Sequence, residues 1–228
     1  MVISMSLWGT DEIYTNGAIE NAKCAKQFYP GWEMWVYHDD TVPAGVLNSL
    51  YELGAVLKPQ PEEPGYIRLF WRFFPAAIKR VERFISRDAD SRLGIREARA
   101  VEEWINSSNK FHIMRDHPNH NHPIMGGMWG CVSGAIPNMS DLIHSGMKTA
   151  RQSKRITIQG CGFDEDQTWL ENVVWPIAKK SCTQHDECPE RTKYGALLPF
   201  PIQRNSVFDF VGNKYTATGE PVYSIETR

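Results

Sequence analysis

Apolar and polar positions switch between two periods along the first sixty residues. Residues 2–7 form an unbroken, largely apolar run that reads as a buried strand. Trp8, Gly9 and Thr10 turn the chain out of it. Over residues 16–28, Ala18, Ile19, Ala22, Ala25 and Phe28 recur at helical spacing, and Tyr29-Pro30-Gly31 stops the helix. Residues 32–37 carry Trp, Val and Tyr, which favour a pleated strand, and end in His38-Asp39-Asp40. A short helix over 46–53, closed by Gly54, leads to a third strand at 55–57. This βαβαβ order predicts a parallel sheet with right-handed crossovers.

Residues 67–80 are apolar nearly all round, which predicts a buried helix kinked or restarted at Pro75. Arg68 and Arg72 lie four apart in it, on one face of an α-helix. Buried arginines need partners, so they form either core-edge salt bridges or a cradle for a diphosphate or an acidic pair. A short apolar run then ends in Asp88-Ala89-Asp90, flanked by Arg87 and Arg92 as counter-charges or phosphate contacts. A strand that delivers two carboxylates to the carboxyl edge of an α/β sheet puts them where such sheets bind ligands. Residues i and i+2 point the same way, so both can face one hard cation, Mg²⁺ or Mn²⁺.

Residues 93–106 are amphipathic. Ala98, Val101, Trp104 and Ile105 make the inner face, and Arg96, Arg99, Glu102 and Glu103 face outward. A strand at 111–114 runs into a loop holding His117, His120 and His122, read as a polar lid or acceptor-side loop rather than a transition-metal site. Gly126 and Gly127 permit close approach to a ligand or a bulge against a strand. A surface helix with a basic end is expected at 138–150. Gly160-Cys161-Gly162 precedes Asp164, Glu165 and Asp166, acids suited to the start of a helix that runs to about Pro176. The last fifty residues are turn-rich, with no helix predicted.

Composition narrows the function classes. With 228 residues the chain can bury a substantial core as one domain, 1–228. A net charge of −2 argues against general nucleic-acid binding. No run approaches the ~18 apolar residues of a membrane span, and no basic segment precedes the apolar start, so a soluble cytoplasmic chain is expected. Five scattered cysteines point to reduced thiols. Cys182, His185 and Cys188 have metal-like spacing but lack a fourth ligand.

Trp71-Arg72-Phe73, residues 87–92, Arg96-Glu97-Ala98, and residues 114–118 through 126–130 recur in this order in a family of nucleotide-sugar glycosyltransferases. Asp166-Gln167 and Phe210-Val211-Gly212 extend the likeness. The chain resembles the small GT-A type found in large algal viruses and bacterial polysaccharide clusters. That resemblance implies an α/β, mostly parallel nucleotide-binding sheet flanked by helices, with a loop-rich acceptor side. It implies a hexosyl- or pentosyltransferase that uses Mn²⁺ or Mg²⁺ and a nucleotide-sugar donor, with a UDP-sugar expected, and a glycan or glycoprotein acceptor. Asp88 and Asp90 become the metal motif, with Asp90 the more direct ligand and His185 the candidate carboxyl-side ligand. Leu7, Trp8, Gly9 and Thr10 would lie against base and ribose. Arg68 and Arg72 would stand near the diphosphate or the acidic motif, and Gly126 and Gly127 near the sugar.

The chemistry of transfer sets its own demands. Charge builds on the leaving diphosphate, where a divalent ion and arginines stabilise it. An inverting enzyme also needs a base for the acceptor hydroxyl, and Asp166 is the first candidate, ahead of Asp164 and Glu165. Two other readings compete: a metal-dependent hydrolase, which requires His117, His120 or His122 to converge with Asp88 and Asp90, and a non-catalytic nucleotide-sugar-binding module.

Overall fold

The structure is a computed structural model. It describes residues 1–153, 156–157, 160–161 and 164–226. Seven strands form one sheet in the order β3-β2-β1-β4-β6-β5-β9. These are β1 (Val2–Leu7), β2 (Glu33–His38), β3 (Val56–Pro59), β4 (Arg83–Ser86), β5 (Phe111–Arg115), β6 (Trp129–Val132) and β9 (Cys182–Asp186). Two further strands, β7 (Ile156–Thr157) and β8 (Gly160–Cys161), make a separate antiparallel pair. Among the described residues the α-helices are α1 (Glu12–Phe28), α2 (Ala44–Glu52), α3 (Ile95–Ile105), α4 (Met139–Gln152), α5 (Glu165–Trp169) and α6 (Trp175–Ala178), with a π turn at Leu170–Val174 between the last two. There are 3₁₀ helices at Gly65–Ala77 and, in the tail where no helix was expected, at Pro189–Tyr194. No helix among the described residues is long and apolar enough to cross a membrane.

The amino half follows the predicted βαβαβ order, with β1 parallel to both β2 and β4. Period-2 alternation divides each strand between two cores. On β1, Ile3, Met5 and Leu7 pack against α1 with Ala18, Ala22 and Ala25. On β2, Trp35 and Tyr37 turn to the opposite face and join Phe70, Trp71, Phe73, Phe84 and Trp129. Ser4 and Ser6 keep β1 thin on that second face. The Ser6 hydroxyl there accepts a hydrogen bond from the Arg72 amide at 3.1 Å.

Several predictions of local structure change. The segment 67–80 is a 3₁₀ helix, Gly65–Ala77, that contains Pro75. Two strands of the seven-stranded sheet were not anticipated, nor was the short β7–β8 pair. β6 is antiparallel to both β4 and β5, and the turn-rich tail contributes β9, parallel to β5. Both are short and owe their pairing to distant chain partners, which local periodicity does not register. On α3, Arg96 is buried rather than solvated. It holds the Asp116 carboxylate by two bonds of 2.7 and 2.8 Å.

Candidate active site

The parallel register aligns the carboxyl ends of β1, β2 and β3, pairing Leu7 with His38 and His38 with Pro59. Strand β4 ends earlier, with Ser86 beside Ser4, and the Arg87 amide adds one more bond to the Ser4 carbonyl at 3.0 Å. The acidic turn after β4 therefore comes up beside the end of β1. A cleft of about 710 Å³ opens there, lined in part by Leu7, Trp8, Gly9, Thr10, Tyr14, Tyr66, Asp88 and Asp90.

Helix α1 fixes the acidic turn. Asn21, fully buried, donates to the carbonyls of Ala89 at 3.3 Å and Ser91 at 2.8 Å, and accepts from the Leu93 amide at 2.8 Å. At Gly17 a Cβ would stand 2.0 Å from the Ala89 carbonyl oxygen, so only glycine lets helix and turn approach this closely. Asn21 escaped the sequence reading, although a polar residue within the stripe Ala18–Ala22–Ala25 was its signal.

Arg72 is buried between two acids. It donates to Asp88, and to the Asp166 Oδ2 at 2.7 Å. The pair Ser86–Trp129 ends the β4–β6 ladder, and its register continued outward sets Gly127 across from Asp88. A Cβ on Gly127 would lie 1.9 Å from the Asp88 Oδ2. A Cβ on Gly126 would lie 2.3 Å from the Arg72 Nη2 and 3.1 Å from the Asp166 Oδ2. Gln167 secures this loop, its carbonyl oxygen accepting from the Gly126 amide at 3.1 Å. Arg72, Asp88, Gly126, Gly127 and Asp166 thus meet at one point. Of the three acids opening α5, Asp164 adopts a left-handed backbone and Glu165 accepts from Ser153 at 2.6 Å. Asp166 alone of them meets Arg72.

Burial, then the neighbouring Asp88 charge, raises the Asp90 carboxyl from 3.8 to about 6. Burial also raises Asp166, against the opposing pull of Arg72. Tyr14 is pushed up to about 12 by burial and by Asp90. Closely spaced carboxylates with this little counter-charge favour a bound cation.

The other predicted residues separate. In 3₁₀ geometry, residues four apart diverge by about 120° around the axis, against about 40° in an α-helix. Arg68 therefore turns away from Arg72 and donates to the Asp39 Oδ2 at 2.7 Å. Asp39 accepts from the Thr41 amide and hydroxyl, and the Thr41 hydroxyl in turn accepts from the Gly9 amide at 2.7 Å. Trp8 and Gly9 line this end of the cleft, where the Trp8 ring meets Tyr66 edge-on at 6.1 Å, and the Arg68 guanidinium lies 6.0 Å from the Trp8 ring centre. Arg87 points inward to Glu97 at 3.1 Å, and Arg92 lies over the Tyr215 ring.

His185 does not join Asp88 and Asp90. It sits on β9, where both ring nitrogens are engaged, one 2.9 Å from His112 and the other 2.9 Å from Glu103. Cys182 packs against the aromatic core, and its spacing with His185 and Cys188 forms no metal site. The histidine loop does not converge on the acids either. His117 and His120 are buried around Phe210, and His122 stands 3.3 Å from Glu171. Among the described residues no three His, Cys, Asp or Glu side chains are grouped to hold a metal alone. A two-carboxylate site still fits Mg²⁺ or Mn²⁺, which take one or two carboxylates and share the rest with water and substrate phosphates.

No protein-family model matches the chain, and no curated protein matches it in sequence. Among solved structures, it is similar to a glycosyltransferase involved in the glycosylation of the major capsid of PBCV-1. The identity is 15%, covering 81% of this chain and 80% of that one, with a TM-score of 0.51. Two further likenesses are a mannosyltransferase from Pyrobaculum calidifontis in complex with GDP-Man and Mn²⁺, and a glucosyl-3-phosphoglycerate synthase from Mycobacterium tuberculosis. The first is 13% identical over 82% of this chain and 54% of that chain, with a TM-score of 0.48. The second is 8% identical over 81% and 67%, with a TM-score of 0.47. At such identities the likeness is one of fold: a mixed α/β, mostly parallel seven-stranded sheet flanked by helices, similar to GT-A glycosyltransferases.

Proposed function

We propose that this chain is a glycosyltransferase that moves a hexosyl or pentosyl group from a nucleotide-diphosphate sugar, a UDP-sugar, to a hydroxyl of a glycan or glycoprotein. The observation that carries this reading is the linked set Asp88–Arg72–Asp166 beside the cleft at the sheet's carboxyl edge. It combines a carboxylate pair for a cation, a buried guanidinium for anionic charge, and a carboxylate for a proton.

Asp90 and Asp88 would hold Mn²⁺ or Mg²⁺, which when bound supplies positive charge to the leaving diphosphate. Leu7, Trp8, Gly9 and Thr10 would bind the nucleoside, with Arg68 braced behind them by Asp39. Arg72 orients Asp88 and Asp166 together and adds charge to the site. Gly126 and Gly127 let Arg72, Asp88 and Asp166 close against the backbone, and the sugar would lie beside that cluster. Asp166 takes the acceptor hydroxyl's proton, and its raised affinity for a proton suits a base of that kind.

Calorimetry with UDP, GDP and their sugars, with and without Mn²⁺, tests the reading. Mn²⁺-dependent binding of UDP is expected. Tight Mn²⁺ binding with no nucleotide dependence would overturn the nucleotide-sugar reading.

A further inference from the structure

The carboxyl-terminal segment returns to the acidic turn after passing along β5 and β9. The Tyr215 amide donates to the Asp90 carbonyl at 2.8 Å, so the strap is bonded to the motif itself. Its geometry is held from behind. Asn213 is buried and donates to the carbonyls of Phe208 and Tyr223, both at 2.8 Å, while the Lys214 carbonyl accepts from the Val222 amide at 2.8 Å. Between these anchors the Lys214 ammonium lies beside Asp90 and Tyr14, two residues of the cleft wall. It lies 3.8 Å from the Asp90 Oδ2 and 5.7 Å from the centre of the Tyr14 ring, and its side chain is 33% exposed.

The charges around the cleft show why this placement matters. Arg72 is held by Asp88 and Asp166, and Arg68 by Asp39 and Glu62. Arg92 lines a separate hollow with Tyr215. Among the described residues Lys214 has one long contact to a single carboxylate and one to the Tyr14 ring, which leaves its donors unsaturated. An ammonium carries three donors on a flexible stem and can follow an anion over several ångströms. Once a cation neutralises Asp90, that ammonium is free to bond phosphate oxygen.

We propose that Lys214 is a diphosphate-binding residue, carried to the donor by the carboxyl-terminal strap. The proposal rests on the nucleotide-sugar reading above and adds to it a ligand contact from a part of the chain that the acidic motif does not include.

The test compares UDP with uridine, in Mn²⁺, on wild type, Lys214→Met and Lys214→Arg. Met keeps the apolar stem over Tyr14 and removes the charge. Lys214→Met should lose roughly tenfold or more of UDP affinity, the range for a hydrogen bond to a charged group. Uridine affinity should not move, and Lys214→Arg should retain most of the UDP affinity. Equal UDP affinity in Lys214→Met overturns the proposal. A parallel loss of uridine affinity also overturns it, because the strap would then act by shaping the cleft. Should Lys214→Met fail to fold, the charge-removing comparison is made by acetylating lysines in the wild type and in Lys214→Arg: UDP must protect the wild type's Lys214 from the reagent, and absence of protection overturns the proposal. Wild type that binds neither UDP nor GDP instead overturns the nucleotide-sugar reading itself.

Discussion

Two parts of this molecule join arginines to acids, and they differ in what they leave open. Under the strap, Asp116 is held by Arg96, Arg204 and the Val211 amide, and Asp186 by Arg115, Arg191 and the Cys188 amide. Both carboxylates are 0% exposed in their side chains. At the cleft, Arg72 is as deeply buried, but Asp88 is 42% exposed and Asp90 21%. Cations outnumber acids in the first region, and acids outnumber cations in the second. Closed and saturated groups hold the fold, whereas an open excess of one charge asks for a ligand.

One substitution, Asp to Asn, tests that difference in three places. The largest effect on stability is expected at Asp116. Asp116→Asn keeps the side chain's shape and leaves Arg96 and Arg204 buried with less counter-charge. Removing one partner of such a cluster costs about 3–5 kcal/mol. Denaturant unfolding should show that loss, and a variant as stable as wild type would remove the contrast.

At Asp166 the same change should spare the fold and stop the chemistry. The Asn carbonyl can still accept from Arg72, and Asp88 still compensates the guanidinium. Asp166→Asn should bind UDP in Mn²⁺ nearly as wild type does, yet transfer at least ~100-fold more slowly once an acceptor is in hand. Single-turnover transfer beside donor titration checks this. Near-wild-type transfer would return Asp166 to the role of a buried partner for Arg72.

How much of this was legible beforehand depends on whether a feature is local. The first three strands, their helices and the acidic turn after β4 are written in runs and periods, and the sequence reading places them within a few residues. Arg72 was legible as a charge in an apolar segment. Its separation from Arg68 was not, because apolar periodicity does not distinguish a 3₁₀ helix from an α-helix in a segment that is apolar nearly all round. Arg96 looked solvated because its partner, Asp116, lies twenty residues on, across the sheet. His185 had the chain position of a metal ligand, but strand pairing turns it to His112 and Glu103. Lys214 carried no pattern at all, since only the return of the strap to Asp90 brings it to the cleft.

The smallest effect is expected at Asp90, and there the sign reverses. Burial, then the Asp88 charge, raises its carboxyl from 3.8 to about 6 in the folded protein. Between those values the native state binds more protons than the unfolded chain, so this group's contribution to stability falls as pH rises from about 4 to 6. Above 6 the ionised Asp90 destabilises the metal-free protein, and Lys214 offsets part of that. Asp90→Asn removes the ionisation and should therefore stabilise the metal-free fold at pH 7, by at most about 3 kcal/mol, the equivalent of a rise from 3.8 to about 6. The gain should vanish near pH 4, where wild-type Asp90 is protonated. Buried His120 runs the other way: burial and then His117 lower it to about 3, so its contribution is lost as pH falls from 6.5. Subtracting wild type from variant at each pH cancels that background. Thermal melts across pH 4 to 7 measure the difference. A variant less stable than wild type at pH 7 would mean that Asp90 is saturated by its own neighbours, as Asp116 is, and has no charge left for a cation.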